Sequence, residues 1–230
     1  KIRVQYQPGV TNQQMGRHIV IYLPGKEIFM EHTDLSRLDL PEEYAIQYTV
    51  HEEYGWRHDY TQAMIKSRDG YYFDFGETGE QYLFLRQDSG KYRQYKYDAG
   101  LGEYSPTMLT PDIQALIDSG VMTEDMVSLD SNVVSGYAAR ITTNFDLYQA
   151  FVEHLQYVRE ETVAGISCQQ FTASFEEVWG TQEAKVWIDP ETGLCMKAEY
   201  RVQTSDGTVG IRQIACTKWE TDGIALPALS

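Results

Sequence analysis

Long hydrophobic runs, positive charge and cysteine are all scarce in this chain, and each scarcity removes a class of protein. The longest clean apolar run, Ile19 to Leu23, is five residues, whereas a membrane-spanning helix needs about 20. Lysine and arginine number 19 against 34 aspartates and glutamates, a net charge of −15. Phosphate neutralisation requires the opposite balance, so DNA and RNA are excluded as expected partners, and the acidity is read as a device for solubility. Also missing are a Gly-x-Ser-x-Gly elbow, a phosphate-cradling glycine loop, a dinucleotide fingerprint, a Cys-x-x-Cys pair and an HExxH helix. The carboxylate pairs Glu160-Glu161 and Glu176-Glu177 are adjacent, so on a strand their side chains point to opposite faces and do not form an acid and base pair. No catalytic residue, metal ligand set or cofactor is therefore expected, and the chain is read as no enzyme.

What is present suits a folded β-rich domain. At 230 residues, with 42% hydrophobic and 23% charged residues, residues 1–230 are expected to form a single domain. Residues 1–40 read as an irregular segment with an edge strand at His18 to Leu23, interrupted by Pro8-Gly9 and Pro24-Gly25. A first meander is expected over 44–104. Tyr44, Ile46, Tyr48 and Val50 alternate with polar neighbours, and Arg68-Asp69-Gly70 and Asp88-Ser89-Gly90 supply hairpin turns.

A helical segment is expected over 110–160. Thr110 caps a short helix with Pro111 first and Gly120 past its end. A longer helix is expected after Asn144, with Tyr148, Phe151, Val152 and Leu155 as its apolar stripe. The second meander, 162–220, puts Leu194, Met196, Ala198, Tyr200 and Val202 on one face and Lys197, Glu199 and Arg201 on the other. Its last strand is expected to turn Val209, Ile211, Ala215 and Trp219 to the dry side. One dry and one wet face, with helices over the dry one, makes α+β architecture.

Cysteine usage leaves two states open. If Gln203 pairs with Thr208, Cys195 stands directly across from Cys216, and a two-residue Asp206-Gly207 turn makes them diagonal neighbours, so a disulfide between them is one state, with Cys168 as the odd thiol. Small reduced apolar residues are the other. His51-Glu52-Glu53 and His58-Asp59 hold the densest set of acid–base and ligating groups, and a solvated loop joining two strands explains them better than a metal or catalytic site. The chain has seventeen tyrosines and four tryptophans, and Tyr71, Tyr72, Phe73, Phe75, Tyr82, Phe84, Tyr92, Tyr95 and Tyr97 crowd the first meander; most are read as packing and a minority as ligand contacts.

The segment Val186-Trp187-Ile188-Asp189-Pro190-Glu191-Thr192-Gly193-Leu194, followed by Lys197 and an alternating strand, resembles the tryptophan–aspartate turn of the lipoprotein-carrier-like family. Gly70-Tyr71-Tyr72-Phe73 fits the same meander. Where that family commonly has a proline two residues past the glycine, this chain has Cys195. The resemblance implies an α+β fold in which a strongly curved antiparallel sheet, an open half-barrel, is covered on its concave face by helices. It implies a non-enzymatic extracytoplasmic domain, in the periplasm or on the cell surface, that shelters an apolar or lipid-like ligand or a lipoprotein acyl chain between sheet and helices. Tyr48, Phe73, Phe84, Val186, Ile188, Met196 and Ile211 are the expected liners. The start at Lys1-Ile2-Arg3-Val4 is that of a processed or truncated chain, so a removed export signal and a lipid anchor upstream of residue 1 are the matching expectations. The rival function is a cell-surface interaction or sensory module that binds protein or glycan through an aromatic, acidic sheet face.

Overall fold

In the computed structural model, the described residues are 21–23, 26–28, 39–142, 154–178 and 180–229. Two three-residue strands, β1 (Ile21–Leu23) and β2 (Lys26–Ile28), pair antiparallel in a sheet of their own. The edge strand expected at His18 to Leu23 is thus half of a local hairpin, the cheapest pairing for two short strands separated by two residues; His18, Ile19 and Val20 lie outside the described residues.

All other strands form one sheet. The first meander contains β3 (Tyr44–Glu53), β4 (Arg57–Ser67), β5 (Gly70–Phe75), β6 (Glu80–Arg86), β7 (Tyr92–Asp98) and β8 (Glu103–Pro106). Two helices follow, α1 (Pro111–Asp118) and α2 (Ser131–Thr142), with a single 3₁₀ turn at Glu124–Val127 between them. The second meander contains β9 (Gln156–Val163), β10 (Ile166–Glu177), β11 (Gly180–Ile188), β12 (Cys195–Thr204) and β13 (Val209–Glu220). The order across the sheet is β8-β7-β6-β5-β4-β3-β13-β12-β11-β10-β9, antiparallel throughout. β3 and β13 fuse the two meanders, from Glu53 opposite Ile211 to Ala45 opposite Glu220. The sheet is open, and the fold is α+β.

Its two ends are protected against pairing with another chain. β8 is four residues long and ends in Pro106. β9 is longer, but Arg159 pairs with Gln170 and Tyr157 with Phe171, which leaves Val158 bulged, and Arg159, Glu160 and Glu161 follow it. Short length, bulging and charge all blunt an edge. The same arithmetic finds bulges at Met196 in β12 and Thr217 in β13. Bulges bend a strand and steepen its twist, so the second meander carries the devices that curve an open sheet.

The turn at 189–193 is held by its own side chains. Asp189, 5% exposed, accepts from the Glu191 amide at 3.0 Å and from Thr192 Oγ1 at 2.5 Å, while the Gly193 amide donates to the Asp189 carbonyl at 2.9 Å. Gly193 takes φ +73°, a conformation that favours glycine. The Asp39 amide donates to the Thr192 carbonyl at 2.9 Å and ties the lead-in of the first meander to this turn.

The helix at Pro111 forms as its capping residues dictate: Thr110 Oγ1 accepts from the Ile113 amide at 3.3 Å, and Gly120 has φ +76°. α2 falls within the helical segment expected over 110–160, though no apolar stripe marks it there. Val133, Val134, Gly136 and Thr142 are weak helix formers, and tertiary burial of Val134 and Ile141 compensates for them. The helix expected after Asn144 falls on residues 143–153, outside the described residues; Leu155 is not helical and leads into β9. The second meander therefore starts at Gln156, ahead of the expected residue 162. Gln156–Val163 reads poorly as strand because its arginine and two glutamates suit the exposed edge it occupies.

Gly70 and Gly180 sit at φ +149° and +153°, and a Cβ there would lie 1.8 Å from the Phe84 carbonyl oxygen and 2.1 Å from that of Gln203. Gly70→Ala and Gly180→Ala are each expected to cost about 2 kcal/mol or more, measured by urea midpoint. Gly79→Ala, at φ +70° in open space, is expected to cost only about 1 kcal/mol.

Candidate functional site

Strand alternation gives this sheet two chemically different faces. One is apolar across its whole width: Tyr44, Ile46, Tyr48 and Val50 from β3, Met64 from β4, Phe73 and Phe75 from β5, Phe84 from β6, Phe171 and Ala173 from β10, Val186 from β11, and Ala198 and Tyr200 from β12 belong to one buried cluster. α2 packs on this face through Tyr137, whose ring lies 5.0 to 6.1 Å from those of Phe84, Tyr82, Phe73 and Phe75. Arg140, one turn further on, sits 4.0 Å above the Phe75 ring.

Of the expected liners, Tyr48, Phe73, Phe84, Val186, Ile188 and Met196 are all in this cluster and at most 2% exposed. Ile211 is not. Gln203 pairs with Val209, one residue beyond the expected partner, so Ile211 stands opposite Arg201 and Glu53 on the other face, together with Gln213 and Ala215. Ile214 and Cys216 face the core instead. The bulge at Thr217 then reverses the alternation, and Trp219 returns to the apolar side, 5.5 Å from Tyr44. A one-residue shift inverts every side chain beyond it.

One polar group on the apolar face lacks a partner. Gln62 is opposite Tyr48 and Phe75, is 5% exposed, and its Nε2 makes no hydrogen bond. An amide donor buried in this way costs roughly 1–3 kcal/mol.

The cysteines are free and buried. Of the two states left open by the sequence, the structure carries the unbonded one, and the Sγ atoms of Cys195 and Cys216 approach the carbonyls of Lys197 and Lys218 at 3.0 and 3.2 Å. Burial raises the thiol pKa values, to about 12 for Cys168 and Cys195 and about 11 for Cys216. Tyr48 lies among them with its hydroxyl donating to the Cys195 carbonyl at 3.2 Å, and burial raises its pKa well above the ordinary value.

The outward face is polar. Across β4, β3, β13 and β12 its side chains form two rows, Thr61, Thr49, Ala215, Lys197 and Asp59, His51, Gln213, Glu199, and together they line a shallow cavity of about 630 Å³. The histidine–carboxylate cluster is here, and on paired strands rather than in a solvated loop: only Tyr54, Gly55 and Trp56 separate β3 from β4. His51 Nδ1 is 2.5 Å from Asp59 Oδ1, its Nε2 is 3.9 Å from Glu53, and Arg57 Nε reaches Asp59 at 2.8 Å. His58 points to the opposite face, where its ring lies against those of Trp56 and Tyr60. The two histidines do not converge, and among the described residues no group of three or more His, Cys, Asp or Glu side chains is placed to hold a metal.

No family model matches the chain, and no curated protein matches it. Among solved structures it is similar to MucB (16% identity, 84% of this chain and 57% of that one, TM-score 0.36). It is also similar to the Mycobacterium tuberculosis lipoprotein LppX (13% identity, 79% and 89%, TM-score 0.30). A third is a LolA superfamily protein from Nitrosomonas europaea (10% identity, 85% and 91%, TM-score 0.27). At these identities and scores the likeness conveys neither ligand nor activity, and the chain spans little more than half of MucB's length.

Two solution measurements follow. A thiol reagent is expected to find three reactive sulfurs in the unfolded chain and almost none in the native one; a single reactive thiol after unfolding would mean a bonded pair. Asp59 is held below the ordinary carboxyl pKa first by its hydrogen bond to His51 and then by Arg57. A depressed folded pKa stabilises above the unfolded value, about 3.9 for aspartate, and that contribution is lost as pH falls through the folded one. Carboxyl ¹³C titration is expected to show the Asp59 midpoint rising in His51→Ala.

Proposed function

We propose that this chain is a non-enzymatic binding domain that holds an amphiphile, such as an acyl chain with a small polar head, against the apolar face of its open sheet. The observation that carries this reading is Gln62: a buried amide donor with no acceptor, set in a layer of aromatic and aliphatic side chains. A carbonyl or carboxylate oxygen at that point would satisfy the donor, and the Arg140 guanidinium stands over the same Phe75 ring that Gln62 adjoins. Each CH₂ group laid on the face would add about 0.8 kcal/mol, so an acyl chain needs no further charged contact. Tyr137 occupies the aromatic half of the face, and ligand entry would displace it. Tyr48, Phe73, Phe84, Val186, Ile188 and Met196 are the surfaces then offered. An extracytoplasmic site of action is part of the same proposal.

The face is filled in this structure, which favours a second reading, an interaction or sensory module that binds protein or glycan through its aromatic, acidic outward face. Native mass spectrometry of the purified protein separates the two. Co-purifying lipid, or a mass shift with palmitate, is expected for the carrier; repeated failure to bind any amphiphile would leave the module. Gln62→Met is expected to raise stability by about 1 kcal/mol, because it removes an unsatisfied donor, while weakening palmitate binding several-fold. Tyr137→Ala is expected to strengthen palmitate binding by opening the face.

A further inference from the structure

The outward face of the first meander holds a polar constellation used neither by the apolar layer nor by the central cavity. The register places Asp74 opposite Gln81 and Tyr97 opposite Tyr104, and Tyr72 opposite Leu83. Asp74 lies two residues beyond Tyr72 on β5, so both side chains point the same way. Leu83 is wholly buried although it is on the outward side. The Tyr72 and Tyr104 hydroxyls interact with each other, and Asp74 acts on both phenols, so these side chains meet above the sheet. The Tyr97 and Tyr104 rings are 5.2 Å apart and inclined at 57°, an angled wall rather than a flat stack.

Asp74 is the unusual member. Its Oδ2 accepts from Gln81 Nε2 at 3.1 Å and from the Tyr72 hydroxyl at 3.4 Å, which leaves Oδ1 open among the described residues. Carboxylates nearby have cations: Glu80 has Lys96 at 2.7 Å, and Glu52 has Arg212 at 3.0 Å. Among the described residues no cation acts on Asp74, and burial raises its pKa by more than its hydrogen bonds from Gln81 and Tyr72 lower it. A half-buried carboxylate with an open oxygen, grouped with tyrosine side chains, is complementary to an ammonium cation, since the carboxylate supplies the countercharge and aromatic ring faces attract cations. One carboxylate with phenols falls short of the six to eight oxygens a calcium ion takes, and a neutral ligand would leave the charge uncompensated.

We infer that Asp74, Tyr72, Tyr97 and Tyr104 form a binding site for an organic ammonium group. Two sources supply that chemistry, the side chain of a lysine and the trimethylammonium head of choline. The site is independent of the amphiphile reading, and Gln62→Met and Tyr137→Ala are expected to leave it unchanged.

Titration of the full chain, followed by calorimetry and by tyrosine ring NMR signals, tests this with choline, Nα-acetyl-lysinamide and the uncharged choline isostere 3,3-dimethylbutan-1-ol. At least one cation is expected to bind and to shift Tyr72, Tyr97 and Tyr104, with the isostere at least tenfold weaker. Whichever cation binds more tightly names the source. Asp74→Asn, which keeps the shape, is expected to lose tenfold or more, and Tyr97→Leu severalfold, whereas Tyr97→Phe retains binding. Urea midpoints establish that each variant is folded. No binding of either cation at millimolar concentration, equal binding of the isostere, or unchanged affinity in folded Asp74→Asn would overturn the assignment.

Discussion

The pairing of β3 with β13 is the constraint on which the rest of this structure depends. It joins strands near opposite ends of the described chain, and its cost is the closure of a very long loop before any bond forms. What offsets that cost is burial. Tyr44, Ile46, Tyr48 and Val50 on one side of the seam meet Ile214, Cys216 and Trp219 on the other, and Tyr48 reaches past β13 to the carbonyl of Cys195 on β12. Without this ladder the chain would hold two smaller sheets, each with one more exposed edge and half an apolar face.

Because the seam makes a single layer, the difference between its faces becomes the functional variable. The inward side is one hydrophobic surface running from the aromatic first meander to the aliphatic second, and Gln62 is a buried polar group within it whose amide donor has no partner. The outward side is divided. At its centre, small threonines and Ala215 leave a shallow depression edged by ion pairs already made, Asp59 with His51 and Arg57, Lys197 with Glu199. Toward β8 the pairing fails at Asp74, which has no cation partner among the described residues. Satisfied groups hold the sheet together; a buried amide donor without an acceptor and a carboxylate without a cation are where a ligand would have something to add.

The cysteines and the bulges belong to the same account. Cys195 and Cys216 stay unbonded within the core, and the bulge at Thr217 is what turns Trp219 back to the core against Tyr44. A single extra residue thus rescues a large aromatic for the apolar face. It bends the strand as it does so, and curvature and packing come from the same irregularity.

Local chemistry was enough to read much of this from the sequence alone. The alternation at Tyr44 to Val50, the glycine turns after Asp69 and Ser89, the Thr110-Pro111 helix start, the Asp189 to Gly193 turn and the dry stripe Leu194 to Tyr200 each depend on residues within a few positions of one another, so period and turn type determined them. Tertiary structure decided what depends on partners far away in sequence: the one-residue register that put Ile211 on the wet face, the strand character of an edge as charged as Arg159 to Glu161, the helix at Ser131 built from poor helix formers, and the placing of His51 and Asp59 on adjacent strands while His58 turned away. The same holds for Asp74. Its type was visible in the sequence, but its want of a cation is a property of three neighbouring strands, and strand order is set by burial across the whole sheet rather than by any local preference.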